Sequence, residues 1–392
     1  MRHGISRDPN TASRLKQGIG DWFGSTAQTG TVTVLLVLIL LLGGGFRIYT
    51  AGLAGIVLTI YLGWIAYRGE LRVYGNWTAA AILSVLLGYG LSVLWAADRG
   101  MAGFGVVKFL PVALYAALLA QRPPEECRNI YRLVPWAGAV MTVLAAALQF
   151  VPGISGYVRI DGRLTGTFQY ANTYALFLLI GCIELMFSTE RTVPAAAAGF
   201  LLMLGIFASG SRTTFLLLLL VILVFCLRER HWRPICSVLG MLLCAALLST
   251  AVSRLGLVKS DRYLTTASAP GTLYARLLYF KDALPVIARH PLGLGYLGYR
   301  AVESGIQNGV YSVRFVHNEL LQLLLDVGWV PTALLSVALV RGIIHQRKLS
   351  LRLAVGAILV HAMMDFDLQF LSIWFLLIPC LELHGGRALV LP

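Results

Sequence analysis

Apolar residues along this chain arrive in long blocks separated by short polar gaps. Twelve blocks run at 31–46, 51–67, 77–95, 103–120, 133–150, 172–188, 193–209, 213–227, 235–252, 316–340, 351–365 and 368–384. A helix of roughly 20 apolar residues crosses about 30 Å of hydrocarbon. In that medium every backbone N–H and C=O must be paired within the chain, which a helix does locally. The pattern predicts an all-α, polytopic integral membrane protein of about 12 transmembrane helices. No Gly/Ser linker divides the blocks, so 1–392 reads as a single membrane domain. Two polar stretches frame it: an N-terminus, 1–30, and one large loop, 253–315.

Composition agrees. Apolar residues make up 58% and charged residues 13%, and the mean hydropathy is +0.76. A soluble globular enzyme, a disordered chain and a disulfide-stapled secreted domain are excluded. The six cysteines fall in apolar blocks or short loops without metal-ligand spacing and read as small hydrophobes. No short core followed by a small-residue cleavage site marks a removable signal peptide.

The net charge of +14 does not point to nucleic acid, because the basic residues lie in the gaps between apolar blocks. It points first to orientation. With 1–30 cytoplasmic, the inner gaps hold Arg68, Arg72, Arg122, Arg128, Arg132, Arg191, Arg228, Arg230, Arg233, Arg341, Arg347, Lys348 and Arg387. Arg2, Arg7, Arg14 and Lys16 precede them. The short outer loops hold Arg47 and Arg99. This asymmetry predicts both termini inside. The loop 253–315 is then extracytoplasmic. It carries Arg254, Lys259, Arg262, Arg276, Lys281, Arg289, Arg300 and Arg314 against Asp261, Asp282 and Glu303, eight charges less three, a net +5. Such a face suits an anionic ligand, since guanidinium pairs phosphate oxygens in bidentate fashion. Attraction to lipid headgroups is the other reading.

Five stretches offer chemistry. In FASGSRTT, 207–214, Ser211 reads as an N-cap and Arg212 adds charge to a helix N-terminus. That makes an anion site or an interfacial, snorkelling arginine. In FVHNELLQLLLDVGWVP, 315–331, His317 and Asn318 open an apolar helix. His317 is a candidate base toward a sugar hydroxyl, or a structural histidine. Arg159 and Arg163 stand in RIDGRLTGTFQYANTY, beside groups that hydrogen-bond sugar or phosphate; Asn172 reads as the cap of the next span. His361 and Asp365, at i and i+4 on one predicted helix face, and Asp367, which completes a D-x-D, offer a metal-type pattern, or a structural pairing of the histidine with a carboxylate or with one of the arginines. Around 272–300, aromatics interleaved with Arg276 and Lys281 suit an interfacial helix. Gly293, Gly295 and Gly298 read as flexible turn residues, with no strand ahead of them to support a dinucleotide fold. Lys108 and Glu184 are intramembrane charges held in reserve as functional candidates.

In their order, GRLTGTFQYAN at 162–172, SGSRTT at 209–214, Arg276 with HPLGLGYLGY at 290–299, and HNELLQLLLDVGWV at 317–330 resemble the O-antigen ligase and Wzy-type polymerase superfamily of bacterial membrane glycosyltransferases. The ligase pattern of His, a polar residue, and Gly is matched by His317, Asn318 and Gly328. Its next element, Gly, Thr or Tyr, is replaced by Pro331, which tilts the reading toward a polymerase.

The resemblance implies a GT-C-like enzyme in the bacterial cytoplasmic (inner) membrane, with its active site facing outside. The donor would be an undecaprenyl-pyrophosphate-linked glycan, and a glycan, lipid or protein the acceptor. Arg212 and Arg276 would grip the pyrophosphate and His317 would serve the acceptor hydroxyl. Arg163, Arg159, Ser211, Asn318, Arg289, Arg300 and Arg314 would line the substrate. Inverting transfer is implied, with no metal and no other cofactor. The partners are these substrates and membrane lipids. The alternative is a transporter or flippase of lipid-linked sugars. It would show related halves and midplane charges, and no half-to-half similarity is visible.

Overall fold

The computed structural model describes residues 25–189, 191–256, 269–384 and 388–390. Arg2, Arg7, Arg14, Lys16, Lys259, Asp261, Arg262 and Arg387 lie outside the described residues. The chain is mostly helical. Its helices of seven residues or more are α1 Ser25–Leu41, α2 Ile48–Tyr67, α3 Trp77–Ser92, α4 Arg99–Leu119, α5 Val134–Leu148, α6 Ala171–Met186 and α7 Val193–Ser209. They continue with α8 Arg212–Arg228, α9 Trp232–Arg254, α10 Ala269–Arg289, α11 Glu319–Val327, α12 Trp329–His345, α13 Leu349–Ala362 and α14 Leu371–Leu377.

Short polar side chains start several of these helices. Asn76 accepts from the Ala79 amide at 2.8 Å to open α3, and Asp98 accepts from Met101 at 3.0 Å to open α4. Thr192 does the same for α7, which stops where Gly210 turns left-handed at φ 62°. Four stretches are long and apolar enough to cross a membrane: Ile48–Tyr67, Arg99–Leu119, Arg128–Leu148 and Trp232–Arg254. Shorter apolar helices accompany them. Helix α8 turns Leu216, Leu220, Leu223 and Leu227 outward, as an apolar solvent allows. At the centre lies α6, buried continuously from Thr173 to Ile183 and packed on by α5, α7, α8 and α13.

Three expectations change. The apolar block at 316–340 is two helices, α11 and α12, broken at Gly328. There φ is 82° and ψ −172°, and a Cβ would stand 2.3 Å from the Pro291 carbonyl oxygen. Only glycine fits so close a backbone crossing. The block at 368–384 forms the short α14 and a 3-10 turn. The fold is also not purely helical. Arg72–Tyr74 (β1) pairs antiparallel with Ala388–Val390 (β4), and Arg159–Ile160 (β2) with Arg163–Leu164 (β3). The second pair turns at Asp161 and Gly162, both at positive φ, the Asp-Gly signature of a tight hairpin.

Within 253–315 the described residues are organised. Helix α10 fills 21 positions. A separate apolar cluster of Ala283, Val286, Ile287, Leu294, Tyr299, Val316 and Leu325 ties its second half to α11. Gly293 is not a flexible turn residue: its Cβ would meet the Asp326 carbonyl oxygen at 2.6 Å. The segment lies directly against α11, with the Leu294 amide donating to the Leu325 carbonyl.

Candidate active site

The turn between α13 and α14 carries Asp365 and Asp367, both buried. Two consecutive residues in the first turn of α6 meet them. The Asn172 amide donates to Asp365 Oδ2 at 2.6 Å, and the Thr173 hydroxyl donates to Asp367 Oδ1 at 2.7 Å. The positive end of the α6 dipole favours both carboxylates. Asn172 is therefore not the cap of α6; the cap position is Tyr170, whose phenol also donates to Asp365, at 2.6 Å.

Asp365 is the hub. Arg276, 12% exposed, places Nη2 3.3 Å from Oδ2, and His317 places Nδ1 3.2 Å from Oδ1. Burial pushes the Asp365 carboxyl up. The hydrogen bond from His317 and the positive charge of Arg276 outweigh it and hold the group well below the usual carboxylate range. Facing an ionised carboxylate, Nδ1 of His317 must donate. A neutral ring then keeps the Nε2 lone pair free as an acceptor on its far side.

Backbone strain aims that ring. His317 sits in the left-handed region at φ 55°, uncommon for a residue with a Cβ. The surrounding contacts hold it there. Its ring stands edge-on to Phe366 at 4.9 Å. Next to it, Asn318 caps α11 through the Leu321 amide at 3.0 Å and donates to the Met363 carbonyl at 2.9 Å. Together they fix His317 to the turn that carries Asp365. Glu319 and Asp326 face inward and are buried, away from His317.

Arg163, delivered by the β2–β3 hairpin, bridges α6 and α7. Nε donates to the Ser209 carbonyl at 2.6 Å and Nη2 to Asn172 Oδ1 at 2.5 Å. It thereby links the Asp365 cluster to the Ser209–Arg212 corner. Arg212 is half-buried at the first position of α8. Ser211 occupies the cap position but makes no capping hydrogen bond. Its hydroxyl meets Thr214 at 3.0 Å. From there a buried line continues through Thr214 to His361 Nε2 at 3.1 Å, and through His361 Nδ1 to Asp367 at 2.6 Å. The i, i+4 pairing of His361 with Asp365 is thus replaced by a His361–Asp367 pair. Helix α13 ends at Ala362, so Asp365 no longer shares a helical face with His361. Among the described residues, no group of three or more His, Cys, Asp or Glu is arranged to hold a metal.

The remaining expected residues scatter. Arg314 lies over Phe46 and Phe315, 5.4 Å from each ring, beside the cluster. Arg289 and Arg300 are exposed on the loop. Arg159 turns toward the Gly256 carbonyl at 3.3 Å, away from Asp365. Lys108, held in reserve, donates to the Phe46 and Gln369 carbonyls at 2.7 and 2.6 Å, clamping the α1–α2 turn to the stretch that follows Asp367. Tyr170 and Asn172 were not anticipated as partners of Asp365. The run of polar residues just ahead of an apolar block was the available signal.

No curated protein matches the chain. Residues 197–336 match the family model described as O-antigen ligase, a stretch that holds Arg212, Arg276 and His317 and stops before Asp365. That stretch is similar to the O-antigen ligase/Wzy family.

Proposed function

We propose that this protein is a membrane glycosyltransferase that moves or polymerises a glycan from an undecaprenyl-pyrophosphate donor at the outer face of the cytoplasmic membrane. It would be a twelve-pass protein with both termini inside. The observation that carries the reading is the meeting of Arg276 and His317 on Asp365. A cation for a diphosphate and a histidine oriented by a carboxylate are the two groups a displacement at an anomeric carbon needs.

In the proposed step the acceptor hydroxyl oxygen bonds to the anomeric carbon. The bond from that carbon to the pyrophosphate oxygen breaks, and the pyrophosphate leaves with the electron pair. The hydroxyl proton goes to Nε2 of His317, and Asp365 stabilises the imidazolium through Nδ1. Arg276 and Arg212 take up the charge that grows on the departing diphosphate. Arg163 and Asn172 position the carboxylate, and Arg314 faces the glycan side. Asn318, Ser211, Arg159, Arg289 and Arg300 belong to the wider substrate surface. Chemistry of this kind supplies its own charge stabilisation without a metal. Pro331, in the first turn of α12, favours a polymerase over a ligase.

The test is reconstitution in vesicles with an undecaprenyl-pyrophosphate glycan and candidate acceptors. Acceptor-dependent release of undecaprenyl pyrophosphate supports the reading and names the acceptor. Movement of the intact lipid-linked glycan between leaflets without release would assign a transporter instead.

A further inference from the structure

We propose that the end of the bundle opposite Asp365 holds a binding site for an anionic phospholipid. Helix α13 separates the two places. It ends at Ala362, beside the carboxylate turn, and begins at Leu349, 14 residues and about 21 Å away. Near its beginning lies a groove of about 610 Å³.

Among the described residues, three polar atoms lining this groove are buried without a hydrogen-bond partner: Arg128 Nε, Gln346 Oε1 and His384 Nε2. Each such group carries a desolvation penalty that a native fold rarely leaves standing, and three around one groove point to a ligand. Gln346 is 3% exposed. Its Nε2 donates to the Cys380 carbonyl at 2.7 Å, leaving Oε1 as the open acceptor.

Charge selects the ligand's sign. The acid of this groove, Glu382, is matched by Arg341 at 3.0 Å, and His345 also faces it at 3.3 Å. Among the described residues the Arg128 charge is left over. A phosphate oxygen satisfies Arg128 Nε–H, a headgroup hydroxyl donates to Gln346 Oε1, and His384 Nε2 can serve either group. An apolar groove of about 270 Å³, lined by Leu62, Ile82 and Ala116, shares Asn76 and Leu383 with the polar one. A hydrocarbon chain attached to the headgroup finds its place there. This selects a lipid over a free phosphate, and a hydroxyl-bearing headgroup over choline.

Thermal unfolding of the purified full chain in detergent tests this, with phosphatidylglycerol, phosphatidylcholine or inorganic phosphate added. Phosphatidylglycerol is expected to raise Tm in a saturable way, and the other two to leave it unchanged. Arg128→Gln and His384→Phe are each expected to weaken phosphatidylglycerol binding by about tenfold or more, the scale of one charge-assisted hydrogen bond. Should Arg128→Gln fail to fold, His384→Phe reads the same site. Equal binding in the folded variants overturns the proposal. So does an equal Tm rise with phosphatidylcholine, or with inorganic phosphate alone.

Discussion

Arg276, on α10, and His317, in the loop just ahead of α11, divide the two oxygens of one buried carboxylate between them, at 3.3 Å from Asp365 Oδ2 and 3.2 Å from Oδ1. Neither side chain is positioned by its own segment alone. The carboxylate is fixed in turn by Tyr170 and Asn172, so four segments of the chain converge before a substrate arrives.

Asp365→Asn keeps the shape of that hub and removes its charge. Transfer in reconstituted vesicles is expected to fall by roughly 10²-fold or more, because His317 loses the partner that fixes its tautomer and Arg276 loses its anchor. Unchanged turnover in a folded variant would remove Asp365 from the mechanism.

Arg276→Ala and Arg212→Ala are each expected to cost about 3–4 kcal/mol of transition-state stabilisation while membrane abundance holds. Arg276→Lys should restore little, since an ammonium cannot make the forked contacts of a guanidinium. Polymer length and yield read all three, and normal polymer in both alanine variants would defeat the assignment.

Excess EDTA is expected to leave transfer intact. The oxygens of Asp365 are taken by Tyr170, Asn172, His317 and Arg276, and those of Asp367 by Thr173 and His361. Little acceptor capacity remains for a cation. Complete loss with the chelator, restored by a divalent ion, would contradict this.

Gly328→Ala is expected to destabilise the protein by about 3–5 kcal/mol, as a positive-φ residue jammed against backbone does. Detergent Tm and expression level measure it.

Acid acts on the loop through Asp282. Burial raises its carboxyl, but hydrogen bonds from the Asn308 side chain and backbone and from the Tyr311 hydroxyl hold it below the ordinary range. A depressed value contributes stability that is present above the unfolded pKa of about 3.9 and is lost as pH falls through the lower folded one. Limited proteolysis at 303–315 should therefore stay flat from pH 8 to about 4 and rise only below that. Asp282→Asn should show the rise at neutral pH.

The periodicity of apolar blocks read the mostly helical class correctly, and four of its stretches are long and apolar enough to cross a membrane, where helices are the local solution for the backbone. It misread 316–340, since hydropathy averages over one glycine, and the close crossing that demands Gly328 is a property of two segments. Arg276 and His317 were visible as residue types in suggestive places. Their meeting on Asp365 was not, because the carboxylate follows a helix end that the i, i+4 reading ran through. The Asp161-Gly162 hairpin that delivers Arg163 had a sequence signature, but it was submerged in a stretch read for its hydrogen-bonding groups.

Helix α10 takes its apolar anchorage from Ala283, Val286 and Ile287, in its second half. Ahead of them, its links to the bundle include the Arg276–Asp365 ion pair and the Tyr279 ring, 6.2 Å from that of His317. A diphosphate that draws on the same guanidinium competes with the aspartate for it. If Arg276 holds the donor as proposed, occupancy and the docking of this half-helix would be thermodynamically reciprocal: tighter latching would weaken the grip on the donor, and a tightly gripped donor would loosen the latch.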